Sequence, residues 1–279
     1  MPHQDAGSEG QRAPPAPPAD RSVSSPADAA LPATGEPSGA CHLSIVIPAF
    51  NEEKLIALTL GRIVAALGDC GCAEFELIVC DNASTDRTAA LARVAGARVV
   101  TEQHRQIARA RNTGARTARG RWLLFVDADS WPDSALMADL LRTLARDDVV
   151  GGGACLSSPG LRPRLRWILW LWNLYSRTAR LAAGSFLFCR ADAFEAVNGF
   201  DEALYAAEEL NLSIRLKRWA RSRRLRFVIL HRHPVKTSPR KQNLYSVSEH
   251  CRLLLRILRA PHRVLRDRAQ LYLWYDGRR

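Results

Sequence analysis

Short apolar segments alternate with helical patterns from residue 43 onward, and this alternation constrains the fold more than any other feature of the chain. Runs rich in apolar and β-branched residues occupy positions 43–48, 75–80 and 122–126, and each run ends in proline or in polar turn residues. Strands that are separated by helices join most readily as parallel neighbours, with the helices covering both faces of the sheet. We therefore expect an α/β fold with a mostly parallel sheet flanked by helices.

The two ends of the chain differ from this central part. Residues 1–41 are rich in Pro, Ala, Ser and Gly, and contain too little apolar surface to offset the entropy lost on ordering, so we expect a disordered tail. Residues 242–279 place leucines and arginines on opposite sides of an expected helix. The predicted organisation is a tail over 1–41, one folded domain over 42–241 and a basic amphipathic helical extension over 242–279.

The positive charge of the chain is concentrated in its last quarter. The formal net charge is +12, and residues 215–279 hold 19 basic and three acidic residues. Such a segment suits an anionic partner, such as lipid headgroups, nucleic acid or a phosphorylated substrate, although a solvated arginine-rich surface is the alternative. No groove-reading or base-stacking motif is present, so we expect no nucleic-acid partner. The amphipathic extension more commonly packs its leucine stripe against the protein's own core, but it and a tryptophan-rich helical segment beginning near Leu165 also suit peripheral contact with an anionic membrane surface.

The apolar segments and the cysteines indicate which cellular compartment to expect for the protein. The longest strongly apolar stretch, residues 165–175, is about half the roughly 20 residues that a membrane-spanning helix needs. The seven cysteines are irregularly spaced and form no zinc-binding pattern. The amino terminus lacks the apolar segment of a signal peptide. We therefore expect a cytoplasmic protein, with peripheral attachment to the inner face of the membrane as an extension of that expectation.

Polar residues follow three of the predicted strands. Asn51 and Glu52 follow the first, Asp81 follows the second, and Asp127 and Asp129 follow the third. Ligands of parallel α/β sheets bind outside the carboxyl ends of the strands, so these side chains should converge on one crevice. Two carboxylates one residue apart suit Mg²⁺ or Mn²⁺ that is also held by substrate phosphates. Taken alone, the Asp-Ala-Asp segment is more often a polar turn that caps the helix beginning near Pro132.

The motifs at these strand ends resemble those of glycosyltransferase family 2, whose fold is named GT-A. The resemblance covers about residues 43–241 and rests on Pro-Ala-Phe-Asn-Glu at 48–52, Asp-Asn-Ala-Ser-Thr-Asp at 81–86, Arg-Asn-Thr-Gly at 111–114 and Asp-Ala-Asp at 127–129. It implies an enzyme that transfers a sugar from a nucleoside diphosphate sugar to an acceptor hydroxyl, with inversion at the anomeric carbon and with Mg²⁺ or Mn²⁺ as cofactor. The acceptor is left open among a lipid carrier, a glycan and a small molecule, and the donor base between uridine and guanosine.

Site residues follow from the same resemblance. The residues expected at the nucleotide-sugar are Pro48, Ala49, Asn51, Glu52, Asp81, Arg111 and Asp127, with Arg240 and Lys241 as cationic donors from a loop that is otherwise a solvated basic segment. The expected metal ligands are Asp129, Asp127 and His233, with His231 as the alternative histidine. The catalytic base is expected at Glu209, where the family has aspartate, or at the neighbouring Glu208.

Two other functions fit the same sequence. A GT-A scaffold that binds nucleotide or a partner without turnover is compatible with the altered acidic motif at Glu208 and Glu209. A nucleic-acid-binding protein that uses its basic carboxyl-terminal part is the more remote alternative.

Overall fold

The computed structural model describes residues 43–240 and, beyond them, residues 244, 249, 252, 253, 255, 256, 259–271 and 275. The predicted tail over 1–41 and most of the predicted extension over 242–279 lie outside the described residues. Both therefore stay predictions.

Strands and helices alternate through the first half of the domain as predicted. This half comprises β1 (Leu43–Ala49), α1 (Ile56–Asp69), β2 (Phe75–Asp81), α2 (Thr88–Val94), β3 (Arg98–Thr101), α3 (Ile107–Arg116) and β4 (Trp122–Val126). The second half comprises β5 (Ser130–Trp131), α4 (Ser134–Leu144), β6 (Val149–Ser157), α5 (Pro163–Ala179), β7 (Phe186–Arg190), α6 (Ala191–Ala196), α7 (Glu208–Arg221) and β8 (Arg226–Thr237). A short helix α8 (Pro261–Val264) and a 3₁₀ turn (Arg268–Gln270) follow.

All eight strands belong to one sheet, in the order β3-β2-β1-β4-β7-β6-β8-β5. The four strands of the first half are parallel to one another, and β6 is parallel to β8. Strand β7 runs antiparallel to both β4 and β6, and β5 runs antiparallel to β8. The sheet is therefore mostly parallel, as predicted, and the antiparallel β7 marks the change from its first half to its second.

Helices cover both faces of this sheet, which is why its central strands are apolar throughout. Alternate residues of β1 point to opposite faces: Ile45 and Ile47 pack in the cluster beneath α1 and α4, whereas Val46 packs in the cluster beneath α3, α6 and α7. Phe125 joins the second cluster from β4 and contacts Phe200 edge-on at 4.9 Å between ring centroids. Within the described residues, no helix is both long and apolar enough to span a bilayer.

Three consecutive glycines, Gly151 to Gly153, lie inside β6. A Cβ atom on Gly152 would collide with the carbonyl oxygen of Val228 in β8 and would lie 2.7 Å from the ring of Phe188 in β7. Only glycine allows β6 to lie between these two neighbours while the phenylalanine rings of β7 fill the core beside it.

Candidate active site

Side-chain hydrogen bonds join the loops that follow β1 and β2. The backbone N–H of Asn51 donates to Ser84 Oγ at 3.0 Å, and its side-chain oxygen accepts from the N–H of Thr85 at 2.8 Å. The N–H of Glu52 donates to Thr88 Oγ1 at 2.8 Å. Helix α1 begins at Ile56, and the backbone that precedes it is held by the neighbouring loop. Asn51 and Glu52 thus lie at the predicted edge of the sheet.

Asp81 ends β2 beside the end of β1, where Pro48 pairs with Cys80 and Ala49 pairs with Asp81. Its side chain is buried, with 7% of the residue exposed, and within the described part of the chain its Oδ1 atom accepts no hydrogen bond. A buried carboxylate oxygen without a donor is costly, by about 1–3 kcal/mol or more for a charged group. The position therefore suits an N–H or O–H group of a bound ligand.

The Asp-Ala-Asp segment after β4 is held in place by its backbone. The Ala128 carbonyl accepts from Thr59 Oγ1 at 2.6 Å, and the Asp129 carbonyl accepts from the N–H of Ser238 at 3.0 Å. Residues 130–131 form β5 and pair with the end of β8. The Asp129 residue is 6% exposed, whereas the Asp127 side chain is 31% exposed. The segment is thus clamped between α1 and the end of β8, which is a role that sequence analysis did not assign to Thr59 or Ser238.

Arg111 connects two carboxylates that lie far apart in the sequence. Its Nη1 donates to Glu208 Oε1 at 2.7 Å, and its Nη2 donates to Asp127 Oδ1 at 2.9 Å and to the Gly184 carbonyl at 3.2 Å. Burial alone lowers the pKa of Arg111, but the carboxylates of Asp127 and Glu208 raise it above its ordinary value, so the guanidinium stays charged. Contact of Arg111 with a nucleotide-sugar stays a prediction, and the visible function of its Nη donors is to hold these acids.

The two adjacent glutamates at the start of α7 have different surroundings. Glu208 is buried and ion-paired with Arg111. Burial and the neighbouring Glu208 carboxylate raise the pKa of Glu209 to about 8, against the opposing effect of Arg111. Glu209 therefore accepts a proton readily, whereas the Glu208 carboxylate is engaged by a fixed cation. The direct ion pair with Arg111 therefore distinguishes Glu208 from Glu209.

The segment that follows β8 contacts the loop that follows β1. Arg240 Nη2 donates to Glu52 Oε2 at 2.7 Å, and the Glu52 residue is 3% exposed. Arg240 Nε is buried without a hydrogen-bond partner in the described part of the chain. Arg240 thus lies at the predicted edge, while Lys241 lies outside the described residues.

The predicted three-residue metal site does not assemble among the described residues, where no three of the His, Cys, Asp and Glu side chains come close enough to share an ion. His233 instead has its Nδ1 atom 2.8 Å from Asp139 Oδ2 in α4, and His231 is exposed. Asp127 and Asp129 still provide the carboxylate oxygens that Mg²⁺ and Mn²⁺ prefer. Such ions often take only one or two protein carboxylates and complete their shell with phosphates and water.

Asn112 stabilises the segment between α6 and α7 that precedes the glutamates. Its Nδ2 donates to the Phe200 carbonyl at 2.9 Å, and its Oδ1 accepts from the Phe200 N–H at 2.9 Å.

Ser185, which sequence analysis did not single out as a site residue, places its Oγ 3.4 Å from Asp127 Oδ2. A serine in an otherwise apolar segment carries no local signal of this contact.

Comparisons with known proteins agree with this arrangement. The family model for glycosyl transferase family 2 matches residues 44–194. A dolichyl-phosphate beta-glucosyltransferase of Drosophila melanogaster is 30% identical over 215 residues, which cover 63% of this chain and 66% of the relative. An uncharacterized glycosyltransferase, EpsJ, of Bacillus subtilis is 29% identical over 118 residues, which cover 40% of this chain and 33% of the relative. The chain thus spans from one third to just under two thirds of the length of these relatives.

Solved structures share the fold. The mannosyltransferase PcManGT of Pyrobaculum calidifontis, in complex with GDP-Man and Mn²⁺, superposes with a TM-score of 0.57 at 22% identity, covering 84% of this chain and 65% of that one. Glucosyl-3-phosphoglycerate synthase of Mycobacterium tuberculosis, in complex with Mn²⁺, UDP and phosphoglyceric acid, superposes with a TM-score of 0.55 at 18% identity, covering 81% and 80%. The predicted GT-A fold is confirmed, and the chain belongs to glycosyl transferase family 2.

Proposed function

We propose that this protein transfers a sugar from a nucleoside diphosphate sugar to an acceptor hydroxyl, with inversion and with Mg²⁺ or Mn²⁺ as cofactor. The observation that carries the proposal is the buried Arg111, which joins Asp127 at the end of β4 to Glu208 at the start of α7. This contact brings Glu209, whose pKa is raised, into the same charged cluster. A donor-binding edge and a proton acceptor are thereby linked by one side chain.

The nucleoside half of the donor fits the crevice between the ends of β1 and β2. Asp81 offers a buried carboxylate oxygen that an N–H of the base or an O–H of the ribose would satisfy. Pro48 and Ala49 form the adjoining wall, since they pair with the last two residues of β2. Structural neighbours include complexes with GDP-Man and with UDP, so both bases are candidates for this chain.

The diphosphate half fits the Asp-Ala-Asp segment. Asp127 and Asp129 would hold the divalent cation, and the cation, when bound, neutralises charge that develops on the departing diphosphate. Arg240, anchored by Glu52, adds a fixed positive charge at the same edge. A cation that needs phosphate oxygens to complete its shell would bind together with the donor, which is consistent with a site that the protein residues do not complete alone.

The transfer itself needs a base for the acceptor. The acceptor oxygen forms a bond to the anomeric carbon as the bond from that carbon to the diphosphate oxygen breaks. The nucleoside diphosphate leaves with the electron pair, and the acceptor proton passes to the Glu209 carboxylate. Attack opposite to the leaving group inverts the anomeric carbon. Glu208 is engaged by Arg111, and we assign it the role of positioning that arginine.

The test combines donor binding with turnover. Thermal shifts with UDP and GDP, with and without Mn²⁺, identify the nucleobase of the donor, because a ligand that binds the folded state raises the melting temperature. A panel of sugar donors on that base is then assayed for transfer and for donor hydrolysis. We expect Asp129→Asn and Glu209→Gln each to lower turnover by about 10²-fold or more. The exposed Asp147→Asn and Glu195→Gln are matched controls that should leave turnover unchanged.

The results separate the proposal from its main alternative. Stabilisation by a nucleoside diphosphate with no transfer or hydrolysis of any donor would favour the catalytically silent scaffold, for which the glutamate at position 209 is the motivating observation. Turnover that survives in both Asp129→Asn and Glu209→Gln would contradict the assignment of these residues.

A further inference from the structure

Helix α5 exposes five large apolar side chains to solvent on one face. The spacing of these residues is i, i+3, i+4, i+7 and i+8, which aligns them along one side of a helix. They are Trp167 (58% exposed), Trp170 (62%), Leu171 (44%), Leu174 (43%) and Tyr175 (53%), and we call them the aromatic stripe. Isolated exposed apolar residues are ordinary, but a contiguous set with three aromatic rings marks an interaction surface.

The helix that carries the aromatic stripe is firmly attached by its other face. Leu165 and Ser176 are buried, and the Asn173 side chain exchanges two hydrogen bonds with the backbone of Leu156 in β6, at 2.9 and 2.8 Å. The outward orientation of the aromatic stripe is therefore built into the fold, because turning the helix would break these bonds and expose Leu165.

The surroundings of the aromatic stripe are positively charged. Between Asp148 and Asp192 the sequence contains six arginines and no acidic residue. A cleft of about 430 Å³ adjoins the stripe at Leu174 and is lined by Arg177, Arg180, Arg226 and His231 among other residues. Arg177 in α5 and Arg180 directly after its end are exposed at this cleft, whereas Arg226 pairs with Asp148 at 2.5 Å.

We propose that the aromatic stripe docks on an anionic lipid bilayer, with its rings at the headgroup level and the arginine-lined cleft against lipid phosphates. Tryptophan and tyrosine favour this interface, because their rings are apolar and carry a polar edge. A flat surface of uniform negative charge matches a helix that carries arginines and no acidic residue. A symmetric contact between two copies would instead bring their arginines together, which is unfavourable.

Docking through α5 would hold the candidate active site near the lipid surface. Five residues after the end of the helix, Gly184 accepts a hydrogen bond from Arg111 at 3.2 Å. A rigid helix and a short connection thus link the aromatic stripe to the acidic cluster. The docking proposal concerns binding alone, so it stands or falls independently of sugar transfer.

Vesicle sedimentation of the full chain tests the proposal. At about 0.15 M salt we expect wild-type protein to bind vesicles of phosphatidylcholine with 30% phosphatidylglycerol, chosen as about a third anionic lipid, and to bind pure phosphatidylcholine far more weakly. Trp167→Ser with Trp170→Ser should weaken binding by at least tenfold. Arg177→Glu with Arg180→Glu should weaken it by at least about 25-fold, from about fivefold for each arginine lost. Val94→Ser and Arg93→Glu, exposed on α2, are the controls and should bind as wild type.

Three outcomes would overturn the proposal. One is unchanged vesicle binding by folded Trp167→Ser, Trp170→Ser protein. Another is lipid-free dimerisation in ultracentrifugation that the same double variant abolishes, since the stripe would then be a self-association surface. The third applies if that double variant does not fold. The proposal is then overturned if brominated lipid vesicles fail to quench wild-type tryptophan fluorescence, or if Trp167→Phe with Trp170→Phe keeps most of that quenching.

Discussion

Replacement of Arg111 by methionine tests the cluster on which the proposed site depends. Methionine keeps the length and apolar character of the side chain but removes the cation that pairs with Glu208 at 2.7 Å and Asp127 at 2.9 Å. The side chain of Glu208 is 5% exposed and would lose its charged partner in a buried setting, whereas that of Asp127 is 31% exposed and retains access to water. The loss therefore falls mainly on the Glu208 pair.

The expected magnitude follows from that difference in burial. Removing one partner of a buried ion pair costs about 3–5 kcal/mol, and the half-exposed contact with Asp127 adds no more than about 1 kcal/mol. For a domain of this size, the loss of about 3–5 kcal/mol corresponds to a fall in melting temperature of roughly 6–20 °C. Arg111→Lys should lie between wild type and Arg111→Met, because one ammonium group does not reproduce the two-pronged guanidinium geometry.

Chemical denaturation with the variant series provides the assay. Arg116→Met on the same helix is the matched control: its side chain is 63% exposed, its contact with Glu202 is 3.9 Å long, and its loss should change stability by no more than about 0.5 kcal/mol. Glu208→Gln in the Arg111→Met background should recover part of the loss, since it removes the unpaired charge. A loss below about 1 kcal/mol in Arg111→Met, or no recovery in the double variant, would refute the reasoning.

Further predictions concern proton transfer, donor binding and the sheet. The pKa of Glu209 in the folded state, about 8, exceeds the ordinary value of 4.5, so the stability that it contributes is present at low pH and is lost as the pH rises through 8. Transfer needs the ionised Glu209 carboxylate, so the rate of transfer should rise as the pH rises towards 8 and level off above pH 8. A transfer rate that falls as the pH rises towards 8 would contradict the assignment. Asp81→Asn should lower nucleoside diphosphate affinity at least tenfold by calorimetry, and unchanged affinity would place the nucleoside elsewhere. Gly152→Ala should destabilise the domain by about 1–3 kcal/mol or more through its collision with Val228, whereas Gly61→Ala, which meets no atom within 4 Å in helix α1, should be neutral or stabilising; equal effects in denaturation would disprove the steric argument.

Local patterns predicted most of the secondary structure. The apolar runs at 43–48, 75–80 and 122–126 form strands that end within one residue of the predicted positions. Two-residue β5 has too little sequence for any periodicity, and it exists because Ser130 and Trp131 pair with the end of β8. The direction of β7 was equally unreadable, since it depends on how α5 and its loop return the chain to the sheet.

The candidate site shows the same division. Its acidic residues at the strand ends were predicted, because carboxylates that follow buried strands stand out against apolar neighbours, whereas Glu208 and Glu209 were predicted from the family resemblance alone. The contacts of the individual site residues were not predicted. His233 lies against Asp139, and Glu52 pairs with Arg240, 188 positions further along the chain. Each of these contacts joins elements that are distant in sequence and adjacent only through the order of strands in the sheet.

By itself, the sequence determined the alternating α/β architecture and the polar strand ends, because burial and chain periodicity act over a few residues at a time. The tertiary structure alone decided that Arg111 binds Asp127 and Glu208 together, and that the pKa of Glu209 beside Glu208 is raised. The physical reason is that burial and the distance to other charges set these energies, and both arise only when the sheet brings α3, β4 and α7 to one place.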